Sequence, residues 1–189
     1  MLRAGLSRRT AATVDEDGAQ RAAVAVVVTS ETDPALLLVK RRERAGDPWS
    51  GHAALPGGFA SKNDANLGAT AERETEEETG LALARLGEQM GRLDDVYPRS
   101  VFLPKVIVSP FVYVVPGRPA VAPSSEIDLA IWVPLAHVLD PGSRHPFILQ
   151  RGGETREFDS IHAGGLVVWG LTERILSQLA ETIARGQAT

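Results

Sequence analysis

The stretch "ATAERETEEETGL", residues 69–81, carries five glutamates within seven positions and ends in Thr-Gly-Leu. Residues three and four positions apart share one face of a helix, so Glu74, Glu77 and Glu78 are expected to project together. Like charges at this spacing repel each other, so a positive partner is expected. Arg73 can bind a carboxylate through two hydrogen bonds, but one guanidinium cannot neutralise three acids. A divalent cation could complete the neutralisation.

Two interpretations of this acidic helix are open from its residues alone. A run of charges is usually a solvated surface, and Glu72 and Glu76 are expected to stay in solvent on either interpretation. The alternative is a metal site. The chain has no cysteine and only His52 near this segment, and oxygen ligands favour magnesium or manganese over zinc or copper. The preceding "LPGGF" favours the metal site, because paired glycines let the backbone approach an ion or a phosphate.

Composition limits the class of protein. The 189 residues suffice for one hydrophobic core, and we expect one domain over residues 1–189, with its core at about 22–183 and residues 1–20 as an N-terminal extension. The net charge of −4 provides no basic excess for nucleic-acid binding. No apolar run is long enough to span a bilayer, and the lack of cysteine fits a reducing compartment. We therefore expect a cytoplasmic protein with a loosely ordered or surface helix at its N-terminus.

Hydrophobic patterning predicts an α/β (α+β) fold, a mixed β-sheet with about two long helices. Strands are expected at residues 22–30, 35–41, 53–55, 106–115 and 131–135. Long helices are expected at residues 65–79, with Gly80 as terminator, and at residues 166–183, where apolar residues recur at three- and four-residue steps. A small helix should follow the last strand.

The acidic stretch and the glycine turn before it resemble the signature of the Nudix hydrolases, G-x5-E-x7-R-E-U-x-E-E-x-G-U, in which U is apolar. The match runs through Gly58, Arg73, Glu74, Glu77, Glu78, Gly80 and Leu81. Asp64 stands where the family has glutamate, Arg73 follows it by nine positions instead of eight, and Thr75 replaces an apolar residue. These departures leave the helical spacing of the acids unchanged and the role of Asp64 open.

The resemblance implies a Nudix-type mixed sheet sandwiched between helices and a hydrolase acting on phosphorus-containing anhydrides. It implies Mg²⁺ or Mn²⁺ as cofactor, held by Glu74, Glu77, Glu78 and the carbonyl group of Gly57. Arg73 would orient these ligands, and Glu77 would also belong to the catalytic set.

The remaining site residues that the resemblance implies lie outside the acidic helix. Glu126 precedes the predicted late strand and is the candidate general base, with an ordinary surface glutamate as the alternative. The expected substrate-binding residues are Arg42, Gly51, Gly58 and Asp95.

Within the family, "LLLVKRRERAGDPWSGHAALPGGF" is similar to the segment before the signature in coenzyme A pyrophosphatase-like proteins, and "SEIDLAIWVPL" and "WGLT" agree with that branch. Arg42 and Gly51 match the upstream motif, whereas Asp47 stands in place of a second arginine and Lys40 in place of threonine. This resemblance implies cleavage of coenzyme A or a derivative to phosphopantetheine and adenosine 3′,5′-bisphosphate.

Arginines 41, 42 and 44 could meet the additional 3′-phosphate of that substrate, or each could simply be exposed. Two other functions stay open. One is hydrolysis of ADP-ribose, nucleotide sugars or dinucleotides, and the other is nucleotide binding without turnover, against which the costly acid cluster argues. The expected partner is a small nucleotide, with neither nucleic acid nor membrane, and a homodimer is left open.

Overall fold

The computed structural model describes residues 2–7, 9–46, 49–98, 103–151 and 153–187, without the side chain of Arg151. Asp47, where the branch motif has an arginine, lies outside these ranges. The α-helices are α1 (Leu2–Ser7), α2 (Leu67–Thr79), α3 (Leu83–Leu86), α4 (Leu135–Leu139) and α5 (Gly170–Gln187). The first six strands are β1 (Gln20–Thr29), β2 (Ala35–Arg41), β3 (Ala53–Ala54), β4 (Gly57–Phe59), β5 (Glu88–Arg92) and β6 (Val106–Val115). The others are β7 (Ile127–Pro134), β8 (Arg144–Arg151), β9 (Glu154–Ala163) and β10 (Leu166–Trp169).

The larger sheet has the order β3-β2-β1-β6-β5, with β4 also paired to β1 and β7 to β2. Strands β1 and β6 run parallel, and the other pairs in this sheet are antiparallel. This arrangement confirms the predicted mixed sheet. Strands β8, β9 and β10 form a second, antiparallel sheet.

Alternating residues of β1 separate the two faces of the larger sheet. Ala25 and Val27 pack in one cluster with Ala71 of α2. Val26 packs on the opposite face, in a cluster that includes Leu176 of α5 and core residues of the second sheet. The larger sheet therefore lies between helices, as predicted, and both sheets share the second cluster.

Two boundaries near the C-terminus were predicted wrongly. The late strand begins at Ile127 instead of residue 131, because the whole segment pairs with β2 as far as the Arg41–Ile127 pair. Residues 166–169 form β10 instead of the first helical turn, and α5 begins at Gly170, whose φ of 68° breaks the strand.

The N-terminal segment contains the expected surface helix, α1, and it is anchored to the rest of the chain. In α1, a Cβ atom at Gly5 would lie 2.1 Å from the Thr182 carbonyl oxygen of α5, so the two helices touch. Arg9 forms an ion pair with Asp94, and the Ala12 N–H donates to the same carboxylate. No helix in the described part of the chain combines the length and apolar composition that a bilayer-spanning segment needs.

Candidate active site

Helix α2 is bounded by two capping residues. The Asn66 side chain accepts a hydrogen bond from the Ala69 N–H at 3.0 Å, and Gly80 closes the helix with φ 72°. Between them, Thr75 is fully buried and its hydroxyl donates to the Ala71 carbonyl at 2.7 Å. A threonine is therefore accommodated at this usually apolar position, because its one polar group is satisfied within the helix.

Arg73 is held by Asp64, which resolves the role that the sequence left open. Its Nε and Nη2 donate to the two Asp64 oxygens at 2.9 and 3.0 Å. Asp64 also accepts from the Ser61 N–H and the Thr70 hydroxyl. The hydrogen bonds from Arg73 hold the pKa of Asp64 well below its usual range, and the same pairing raises the pKa of Arg73. Asp64 thus fixes the position of the Arg73 guanidinium beside the acidic cluster.

The same guanidinium reaches two of the three glutamates predicted as metal ligands. Arg73 Nη1 donates to Glu74 at 2.7 Å and to Glu77 at 3.1 Å. Glu74 lines the large cavity beside the helix, whereas Glu77 is 58% exposed and does not line it. The structure therefore brings Glu74 and Glu78 to the cavity and leaves Glu77 at its outer edge.

Both glycines of the turn before α2 are required by close approach. Gly57 has φ 154°, and a Cβ atom there would lie 2.3 Å from the Ala23 carbonyl oxygen. A Cβ atom on Gly58 would lie 2.5 Å from the Glu74 carboxylate. The Gly57 N–H donates to Glu78 Oε2 at 3.0 Å, so strand β4 and helix α2 join at the acids.

Glu78 is the buried acid of the cluster, with 5% of its surface exposed. Burial, with smaller contributions from nearby Glu74 and Glu126, raises its pKa to about 7 against the opposing effects of the Gly57 N–H and of Arg41. Arg41 Nη1 lies 3.7 Å from Glu78 Oε1. The negative charge of Glu78 is therefore only partly balanced by the protein groups around it.

Glu126 is brought beside the end of α2 by backbone hydrogen bonds. The Ala122 N–H donates to the Thr79 carbonyl at 2.8 Å, and the Ser124 N–H donates to the Glu78 carbonyl at 2.9 Å. On its other side, Glu126 accepts from the Arg42 N–H at 2.8 Å. Glu126 lines the same cavity as Glu74 and Glu78, so the candidate base and two of the predicted metal ligands border one space.

That cavity has a volume of about 910 Å³ and two unlike walls. The acids, Arg41 and the β4 glycines form one wall. The other, largely apolar wall comes from the second sheet and α5, which contribute Leu149, Phe158, Trp169, Leu171 and Ile175 together with the charged residues Glu154, Arg156 and Arg174. Trp169 stacks on Phe147 at 4.7 Å and contacts His52 at 4.6 Å between ring centroids.

Sequence reasoning missed this apolar wall. The Gly-Gly pair at 152–153, between two runs of alternating residues, is a recognised hairpin signal and could have indicated β8 and β9. The assignment of Trp169 to a helix concealed its position on β10, facing the site.

Three of the expected substrate-binding residues do not line the cavity. Arg42 Nε binds Asp128 at 2.8 Å, and Gly51 lies in the turn before β3 with φ 71°. Asp95 is buried elsewhere, where its carboxylate accepts from the Val14 N–H and from the Ser109 hydroxyl. The position of Asp95 argues against its predicted contact with substrate. Gly58 does line the cavity.

Glu72 also departs from expectation, since the Tyr113 hydroxyl donates to its carboxylate at 3.1 Å. Glu76 is exposed, as predicted. Within the described residues, no three aspartate, glutamate or histidine side chains converge into a preformed metal site. The donors nevertheless suit a hard divalent cation, because they are carboxylates and buried Glu78 lacks full compensation.

The NUDIX domain family model matches residues 19–151. The chain belongs to the Nudix family. An uncharacterized Nudix hydrolase, NudL, of Salmonella paratyphi B is 32% identical over 166 residues, covering 85% of this chain and 81% of the relative. The family assignment and the predicted enzyme class, a hydrolase acting on pyrophosphate bonds, are confirmed at this level.

Two further matches differ in extent and in sequence identity. An uncharacterized protein of Schizosaccharomyces pombe is 40% identical over 112 residues, covering 57% of this chain, and the chain spans 34% of that relative's length. The structure of the NUDIX domain of Shewanella oneidensis NrtR, complexed with ADP ribose, matches with a TM-score of 0.57 at 21% identity and covers 92% of this chain and 91% of that chain. At this identity the likeness concerns the Nudix fold.

Proposed function

We propose that this Nudix protein hydrolyses the diphosphate of coenzyme A or a derivative to phosphopantetheine and adenosine 3′,5′-bisphosphate. The observation that carries the proposal is the cavity of about 910 Å³, in which an acidic wall with Glu74 and Glu78 faces an apolar, aromatic wall. A diphosphate alone would not fill such a space, and apolar walls with a few polar groups are typical of sites for larger organic ligands. The similarity to the coenzyme A pyrophosphatase-like segment supports the same substrate.

Divalent metal is part of the proposal. Glu74, Glu78 and the Gly57 carbonyl would hold Mg²⁺ or Mn²⁺, and Glu77 would join them after release from Arg73. When bound, such a cation neutralises charge on a diphosphate and lowers the pKa of a bound water. Asp64 and Arg73 would keep Glu74 directed toward Gly58, where no side chain separates the carboxylate from the backbone.

Glu126 is the proposed general base. It lines the cavity that Glu74 and Glu78 border, and its backbone is fixed to the end of α2, so its carboxylate can reach a water bound near these acids. In the proposed step, the water oxygen bonds to phosphorus while Glu126 takes its proton. The bridging P–O bond breaks, and its electron pair stays with the leaving phosphate.

Among the arginines considered for the 3′-phosphate, the structure favours Arg41. Arg41 lines the cavity, whereas Arg42 and Arg44 do not. A guanidinium is well suited to bind a phosphate through charge-assisted hydrogen bonds.

ADP-ribose is the second candidate substrate. The related NrtR domain binds it in the solved complex, and the upstream coenzyme A motif is incomplete at Lys40 and Asp47. This alternative keeps the proposed metal ligands and base and changes only the group bound at the apolar wall.

The test is turnover of a substrate panel in ¹⁸O-labelled water with Mg²⁺, with the products identified by mass. The panel contains coenzyme A, ADP-ribose, nucleotide sugars and dinucleoside polyphosphates. We expect coenzyme A to be cleaved fastest and the label to identify the attacked phosphorus. Faster cleavage of ADP-ribose would reject the proposed substrate, and binding without cleavage of any compound would favour a non-catalytic module.

A further inference from the structure

Two neighbouring ion pairs connect the segment after β2 with the start of β7. Arg42 Nε lies 2.8 Å from Asp128 Oδ1, and Arg44 Nη1 lies 3.1 Å from Glu126 Oε1. The members of both pairs are about equally exposed, at 39% to 54% of their side-chain surfaces. The pairs differ in one respect, which is that Glu126 lines the cavity whereas Asp128 does not.

The backbone of Glu126 is fixed from two sides, through Ser124 to α2 and through the Arg42 N–H to β2. These bonds locate its Cα atom but do not set the direction of its carboxylate. Arg44 Nη1 donates to one oxygen of this carboxylate at 3.1 Å. Arg44 is itself anchored, because its N–H donates to the Ser50 hydroxyl at 2.8 Å.

The charges around Glu126 explain what its contact with Arg44 does. The carboxylate of Glu126 shares the cavity with Glu74 and Glu78, and like charges in one cleft repel. A cation beside Glu126 offsets that repulsion and restricts the directions that its flexible side chain can take. Arg44 supplies the opposing charge and fixes one oxygen of the carboxylate, leaving the other oxygen to accept a proton.

We propose that Arg44 is a positioning residue for Glu126, which orients this carboxylate toward the attacking water without touching the substrate. The inference rests on the proposed role of Glu126 as general base. It also assigns Arg44 differently from the 3′-phosphate contact that the sequence left open for it. Arg42 makes the equivalent ion pair outside the cavity, so its partner Asp128 provides a matched control.

The experiment compares R44Q, R44K, E126Q and the double variant R44Q/E126Q with the unmodified enzyme and with D128N as control. The assay uses the compound of the panel that the unmodified enzyme cleaves fastest, with Mg²⁺ present. We expect R44Q to lower kcat roughly tenfold with little change in KM, because a misdirected base slows the chemical step more than binding. R44K should retain most activity, and D128N should match the unmodified enzyme.

The double variant separates positioning from substrate binding. If Arg44 acts through Glu126, adding R44Q to E126Q should cause no further loss of kcat or of kcat/KM. A raised KM in R44Q, or an added loss in the double variant, would overturn the proposal in favour of direct phosphate contact. An equal loss of kcat in D128N and in R44Q would show that both ion pairs only anchor the loop, and it would also overturn the proposal.

The base assignment is tested separately by E126Q alone. Near-normal kcat in E126Q would reject Glu126 as the base and the role of Arg44 with it. A slow E126Q together with an unimpaired R44Q would reject only the role of Arg44. Melting temperatures of all variants confirm that each rate belongs to a folded protein.

Discussion

Two groups of acids in this molecule look alike in sequence and differ in their surroundings. On α2, Glu74 and Glu77 share Arg73 of their own helix, whereas Glu78 is buried beside the cavity with Arg41 at 3.7 Å. At the end of β5, Asp95 is buried as deeply, with a side chain that is 1% exposed. Asp95 is, however, fully surrounded by donors.

One of those donors, Arg92, lies three residues away, and the others come from remote parts of the chain. Arg92 and Arg21 form ion pairs with Asp95, the Ser109 hydroxyl donates at 2.7 Å, and the Val14 N–H donates at 3.0 Å. Neighbouring Asp94 binds Arg9 in the same way. A buried acid whose charge is matched by the fold is structural, whereas one left short of positive charge is a candidate for binding a cation.

The largest effect is expected at α2, where a substitution tests whether Glu78 is a metal ligand. E78Q should lower turnover about 1,000-fold or more, because it removes a proposed metal ligand while the helix and its caps remain. E76Q is the matched control, since Glu76 is an exposed glutamate of the same helix. Turnover with Mg²⁺ and circular dichroism are measured for both variants. Near-normal rates in E78Q would remove Glu78 from the metal site.

The second prediction tests whether the role of Asp95 is structural. D95N should lower the free energy of unfolding by about 3 to 4 kcal/mol, because the buried partners lose the charge that they were arranged around. The molecules that remain folded should retain kcat, since Asp95 does not line the cavity. Urea unfolding and kinetics below the transition test both statements, with exposed Asp159 changed to Asn as control. Loss of kcat without loss of stability would restore Asp95 to the substrate-binding set.

The third prediction concerns pH in the absence of metal. The native-state pKa of Glu78 is raised from 4.5 to about 7, so the native state keeps a proton that the unfolded chain has already lost. Stability should therefore fall as pH rises from about 4.5 to 7, by about 3 kcal/mol in total. E78Q should lack this contribution and exceed the unmodified protein in stability at pH 8.

Urea unfolding at pH 5 and pH 8 with EDTA measures that difference. Mg²⁺ added at pH 8 should stabilise the unmodified protein more than E78Q, because a bound cation favours the ionised carboxylate. If the free energy of unfolding depends on pH equally in the two proteins, the charge of Glu78 is balanced by protein groups without metal.

The smallest expected effect lies at the arginine that serves the α2 acids. D64N removes the charge that holds Arg73, and kcat should fall roughly tenfold as Glu74 loses its direction, with the helix retained. S61A is the control, because the Ser61 contribution to Asp64 is a backbone N–H that alanine keeps. Unchanged kcat in D64N would mean that Arg73 positions the acids without Asp64.

Local patterns predicted the parts of the fold that are decided locally. Strands β1, β2 and β6 are marked by apolar runs and helix α2 by its terminating glycine, and the predictions for these elements agree closely with the structure. The sequence also indicated that Glu74, Glu78 and the β4 glycines lie close together, because all of them belong to one helix or to the turn that precedes it. Their meeting required no knowledge of distant elements.

The remainder depended on distant partners. Nothing within the neighbourhood of Asp95 in the sequence indicates that Val14 and Arg21 approach it. Trp169 lies on a strand because β9 pairs with it, against a helical spacing that continues into α5. Glu126 was placed near the site by resemblance, and the structure supplies the cause in its backbone bonds to α2 and β2.

The pairing of Asp64 with Arg73 has a consequence for how such chains are found. The common signature has glutamate with seven intervening residues, whereas this chain has the shorter aspartate with eight, and the bidentate contact still forms. A shorter side chain and a longer connection thus compensate each other and are best regarded as one change. Pattern searches that vary either feature alone will pass over chains of this kind, while those that vary both together will retain them.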